Sequence, residues 1–146
     1  MAPPMTSYLT KPIRAIHFLV LAFLMMFCSP VLAQSLGDVY YSKAFEARYG
    51  NDVPDYSNVI KFYRLSAEQG NTQAQTNLAV MYRYGDGVPK DYITAHMWFN
   101  IAAANGHERA GTFRDELTRQ MSKAGNEKAQ AMARECMSSG YTKCGY

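Results

Sequence analysis

Residues 85–92 read Gly-Asp-Gly-Val-Pro-Lys-Asp-Tyr, and residues 50–56 read Gly-Asn-Asp-Val-Pro-Asp-Tyr, the same phrase with one residue fewer. Asp55-Tyr56 and Asp91-Tyr92 stand 36 residues apart, and the agreement continues when one segment is laid over the other. Phe62-Tyr63 falls on Trp98-Phe99, Ala67 on Ala103, Gly70 on Gly106 and Ala74 on Ala110. A fixed period of this length marks a stack of repeated supersecondary units, each burying a face against its neighbour.

Each unit reads as two helices. Tyr56, Val59, Ile60, Tyr63 and Ala67 recur at three- and four-residue steps and form one apolar face. Asp55 is placed to cap that helix, because its carboxylate can accept the free N–H groups of the first turn. Gly70 ends it, Asn71 caps the next helix, and Ala74, Leu78, Met81 and Tyr82 form the second face. Gly85 stops that helix and Val88-Pro89 leads into the next start at Asp91. In the second unit Tyr92, Ala95, Phe99 and Ala103 repeat the first stripe, with His107 in the cap place held by Asn71. Alanines at 67, 74, 103 and 110 let two helices joined by a short turn approach closely.

The run Ala67-Glu68-Gln69-Gly70-Asn71-Thr72-Gln73-Ala74-Gln75, then Asn77 to Tyr82, then Gly85 to Tyr92, resembles the Sel1-like repeat. The likeness is strong from about Asp52 to Ala110 and weak on the flanks. It implies an all-α fold: a short α/α solenoid related to tetratricopeptide repeats, wound as a right-handed superhelix. It also implies an adaptor that holds another protein on a curved surface. On this reading the units are 55–90 and 91–125, with an incomplete opening repeat over 34–54 whose helix runs from Val39 to Tyr49. The second unit departs from the pattern, with Arg114-Asp115 where the first has Leu78-Ala79, and its stripe becomes Ala110, Phe113, Leu117 and Met121. That suits a terminal unit, closed by a capping helix from about Asn126 to Met137 within a tail of 126–146.

The N-terminus reads as an address. Lys11 and Arg14, with no acid, precede the apolar run Ala15–Phe27, then Pro30 and Val31-Leu32-Ala33. A basic region, a 13-residue apolar core and small residues before a cut describe a secretory signal peptide over 1–33, cleaved between Ala33 and Gln34. The alternative, an uncleaved anchor, is short: thirteen helical residues reach roughly 20 Å against a hydrocarbon core of roughly 30 Å. Contact with a membrane is then only transient, and the expected location is periplasmic or secreted, in a bacterium. Two cysteines remain after cleavage, Cys136 and Cys144. In an oxidising compartment such a pair is usually bonded; the alternative is two free thiols.

Charge narrows the partners. The whole sequence is +3, but losing Lys11 and Arg14 lowers 15 basic residues to 13 against 12 acids, a net +1. That leaves no electrostatic footprint for nucleic acid or anionic lipid. Hydrophobic residues at 48% and charged residues at 18% describe one globular domain.

Catalytic motifs are scarce. Gly85-Asp86-Gly87 lacks the strand before and the Lys-Ser/Thr after that a phosphate loop needs. Two thiols without a nearby His or acid cluster fall short of a metal site, and no cofactor is expected. His96 and His107 both have structural explanations, and Glu108, Asp115 and Glu116 read as acids near a helix start. A cysteine-rich subfamily of the resembling proteins is linked to β-lactam binding and hydrolysis. It carries a cysteine pair in each repeat, which this sequence does not, and Ser-x-x-Lys and Lys-Thr-Gly are absent. The expectation is therefore a non-catalytic exported adaptor for another protein. The alternative is an envelope enzyme or inhibitor acting on peptidoglycan or β-lactams. In the resembling stacks the first helices line the concave side. The positions there off the core stripe are Asn58, Lys61, Arg64, Thr94, Met97 and Asn100. Trp98 is the best anchor if exposed, and a core residue if it repeats the place of Phe62.

Overall fold

The computed structural model describes residues 36–50 and 53–145. The protein divides at Ala33/Gln34 into two units, and all described residues belong to the second. The expected leader and its cut between Ala33 and Gln34 lie outside the described residues. Among those described there are six helices and no strand. They are α1 over 36–49, α2 Tyr56–Glu68, α3 Thr72–Tyr84, α4 Tyr92–Ala104, α5 Ala110–Gln120 and α6 Lys123–Ser138. No helix among them is long and apolar enough to cross a membrane.

Local chemistry sets the ends. Asp55 accepts from the Asn58 N–H at 3.2 Å and from the Asn58 side-chain amide at 2.7 Å. The backbone bond and then the side-chain bond hold its carboxyl below the usual range. Asn71 accepts from Ala74 N–H at 2.9 Å, and Asp91 from Ile93 N–H at 2.9 Å and Thr94 N–H at 3.3 Å. Each bond satisfies a donor that the first helical turn leaves open. Gly85 closes α3 in the left-handed region at φ 82. Gly87, at φ 73, is required twice over: a Cβ there would lie 2.5 Å from the Cβ of Tyr56. The turn between repeats is therefore packed directly on the start of α2.

Three ends differ from expectation. α1 is already helical at residue 36 rather than 39. α6 starts at Lys123, not Asn126, because Ser122 accepts from Gly125 N–H at 3.1 Å and caps the helix three residues earlier. His107 does not cap α5: that helix starts at Ala110 behind Arg109, with no side-chain cap bond.

Contacts run between sequence neighbours, α2 with α3, α3 with α4 and α4 with α5, as a stacked solenoid requires. α1 joins α2 through Ser66 Oγ, which donates to the Gly37 carbonyl at 2.7 Å, and through Tyr41 against Tyr63 at 5.9 Å. The exception to neighbour-only packing is α6, which lies on α4 as extensively as α5 does. α4 is consequently enclosed by α3, α5 and α6, and Trp98, Phe99, Met97 and Ile101 are wholly buried. Each such side chain contributes about 1.5–3 kcal/mol of transfer free energy. The Sγ atoms of Cys136 and Cys144 lie at disulfide distance, 2.00 Å, across the turn that ends α6.

Candidate functional site

The proposed surface residues divide by burial. Lys61 is exposed and Asn58 half-buried, both on α2. Asn58 lines a recess of about 360 Å³ between α1 and α2, together with Lys43, Glu46, Asp55 and Phe62. Phe62 is half-buried there, with Lys43 Nζ 5.7 Å and Lys61 Nζ 5.8 Å from its ring centre and Tyr40 stacked at 6.4 Å. Two ammonium groups thus lie near one half-open aromatic ring, the residue type that concentrates energy in interfaces.

Arg64 serves the fold instead. It donates to the Tyr82 hydroxyl and lies over that ring at 6.0 Å, joining α2 to α3. Asn100 accepts from Arg114 at 3.3 Å and faces α5. Thr94, Met97 and Trp98 overturn the expectation of a continuous exposed surface. Thr94 is 4% exposed and gives its hydroxyl proton to Asp91 at 2.7 Å, while Met97 and Trp98 are fully buried. α6 closes the side of α4 that the repeat pattern alone leaves open, so these three are packing residues and no partner can meet them. A warning exists in the sequence: 92–104 is apolar all round, the composition of an enclosed helix.

The acids expected at a helix start are also reassigned. Asp115 and Glu116 lie mid-α5, where Glu116 pairs with Arg83 of α3 at 3.0 Å and Asp115 with Arg114 at 2.8 Å. His107 Nε2 meets Gln73 Oε1 at 3.3 Å. That contact repeats one in the first unit, where Asn71 donates to Asp38 at 2.7 Å. The same turn position of each repeat thus reaches back to the start of the equivalent helix one repeat earlier. His96 is 1% exposed, with Nε2 3.0 Å from the Thr118 hydroxyl. Burial first, then Arg114, lowers its pKa, and Asp115 offsets part of this. No group of three or more His, Cys, Asp or Glu able to hold a metal occurs among the described residues.

A polar strap that the sequence did not reveal crosses the stack. Gln75, fully buried, donates to the Ala67 carbonyl at 3.0 Å. Asn105 donates to Gln75 Oε1 at 3.0 Å and to the Tyr141 hydroxyl at 2.8 Å. One series of bonds therefore ties the first repeat, the second repeat and the tail.

Comparison with known proteins agrees with this geometry. The Sel1 repeat model matches residues 48–71 and 72–107. The second match has the 36-residue length of the internal period and covers α3 and α4, one helix out of phase with the pairing by first helices. An uncharacterized protein of Neisseria meningitidis serogroup B is 43% identical over 49 residues, 33% of this protein and 10% of the relative. The present sequence thus spans about a tenth of the length of that curated relative. With its helices, caps and glycine turns repeating at the matched positions, the protein carries two Sel1 repeats and is a helical-repeat protein of the Sel1 type.

Proposed function

We propose that this protein is an exported, non-catalytic adaptor that holds another protein in the cell envelope or outside the cell. The observation that carries this is the pair of tandem Sel1 repeats, a module that generally mediates protein–protein interaction. The recess lined by Lys43, Asn58 and Phe62, with Lys61 beside the Phe62 ring, is the contact surface in this reading. The basic and apolar leader ending at Ala33 supports export to the periplasm or beyond. The closeness of Cys136 and Cys144 is in keeping with an oxidising compartment, where the bond pins the tail against α6.

The test is capture from envelope extract with the tagged full-length protein, crosslinked and analysed by mass spectrometry, beside a Lys61→Glu variant. Lys61 is the charge to reverse, because reversal at Arg64 would also break its bond to Tyr82. A reproducible protein partner reduced by Lys61→Glu supports the reading. Retention on cell-wall material with no protein partner would replace it with the peptidoglycan alternative.

A further inference from the structure

A cavity of about 380 Å³ opens where α4, α5 and α6 meet, and every residue lining it is polar. α4 contributes His96 and Asn100, α5 contributes Arg114 and Asp115, and α6 contributes Gln130 and Arg134, one turn apart. Their charges are unequal. Arg114 is turned onto Asp115, with Nε at 2.9 Å and Nη2 at 2.8 Å from the same oxygen, and its Nη1 donates to Asn100. Asp115 therefore offsets one guanidinium. Arg134 is exposed and makes no ion pair with a described residue.

His96 forms a desolvated wall of the cavity. The Thr118 hydroxyl gives its own proton to the Arg114 carbonyl at 3.0 Å, so Nε2–H of His96 is the donor to Thr118. Nδ1 is left buried with no hydrogen-bond partner among the described residues. The recess thus offers one uncompensated guanidinium, a second held in a fixed orientation, and the Gln130 amide.

We propose that this cavity binds a carboxylate presented by a partner peptide, with Arg134 as the principal donor and Gln130 beside it. The proposal rests on the adaptor reading for its peptide and on the cavity for its chemistry. A singly charged carboxylate matches one net positive charge, and guanidinium binds it in two-pronged fashion. A phosphate would bring a second charge and a third oxygen against Asp115. The carboxylate has two sources, the partner's own C-terminus or an Asp or Glu side chain.

The experiment is an NMR titration of the ¹⁵N-labelled full-length protein with two N-acetylated peptides. One has a free C-terminus and no acidic side chain; the other is amidated and carries one Glu. The expected result is a saturable shift of the Arg134 side-chain Nε–H with at least one of them, and which one responds identifies the source. Arg134→Gln should weaken binding by about tenfold or more, the effect of losing a charge-assisted pair. Asp115→Asn should tighten it. Lys128→Gln, which removes a positive charge from the same helix outside the cavity, should leave it unchanged. No saturable shift with either peptide overturns the proposal, as does equal weakening by Arg134→Gln and Lys128→Gln. Captured protein partners with no peptide response fail this site alone. Peptide binding with no captured partner fails the adaptor reading alone.

Discussion

Trp98 shows how one side chain changes meaning with its surroundings. On sequence alone it is either an interface anchor or, repeating the place of Phe62, a core residue. The difference lies in what covers each: Phe62 stands half-open beside Lys43 and Lys61, while Trp98 is fully buried. Truncating a buried Trp removes its contacts and leaves a cavity, at a cost of about 3–5 kcal/mol. Trp98→Ala should therefore lower unfolding stability by about that amount in a denaturant titration. A loss under about 1 kcal/mol would mean that the ring is not enclosed. Other residues are legible from sequence alone. Asp55, Asn71 and Asp91 cap helices as their side-chain chemistry requires, because a cap depends on three or four consecutive residues and nothing distant.

At the scale of the element, spacing identifies the buried residues where a helix buries one face and misses them where it buries all of them. Val59, Tyr63 and Ala67 on α2 and Ala74, Leu78 and Met81 on α3 are buried as their spacing indicates. α4 offers no such contrast, since three helices surround it, and a stripe drawn through Tyr92, Ala95, Phe99 and Ala103 misses Met97, Trp98 and Ile101. Neither the strap through Gln75 and Asn105 nor the cavity under Arg134 is legible from spacing. Asn105 reaches across 30 residues to Gln75 and 36 to Tyr141, and the cavity draws its walls from three helices. Both depend on where α6 and the tail lie. The strap has a measurable role. Asn105→Ala removes two hydrogen bonds and leaves buried Gln75 without that partner, which should cost about 1–3 kcal/mol. Equal chemical-denaturation midpoints for Asn105→Ala and the parent protein would contradict the strap.

Across the whole molecule, the stack is asymmetric. The first repeat keeps an open aromatic recess at α1 and α2, and the second is closed by α6. pH provides a global readout of that closure. His96 in the folded protein titrates below the ordinary imidazole value, so the unfolded state takes up the proton first. Stability from the neutral ring is complete above about pH 6.5, the unfolded value, and is lost as pH falls from there through the folded value. Thermal midpoints should fall between pH 7.5 and 5.5 in the parent protein and fall less in His96→Gln. Parallel slopes would show that His96 is not the group being charged.

The adaptor role requires that a protein occupy the recess beside Phe62 in the cell. A photo-crosslinking amino acid at position 61, with position 84 at the exposed end of α3 as the control, tests this in living cells of the source organism. A discrete adduct with another exported protein is expected from position 61 and none from position 84. Absence of any protein adduct at position 61, or the same diffuse set from both positions, would contradict the adaptor role.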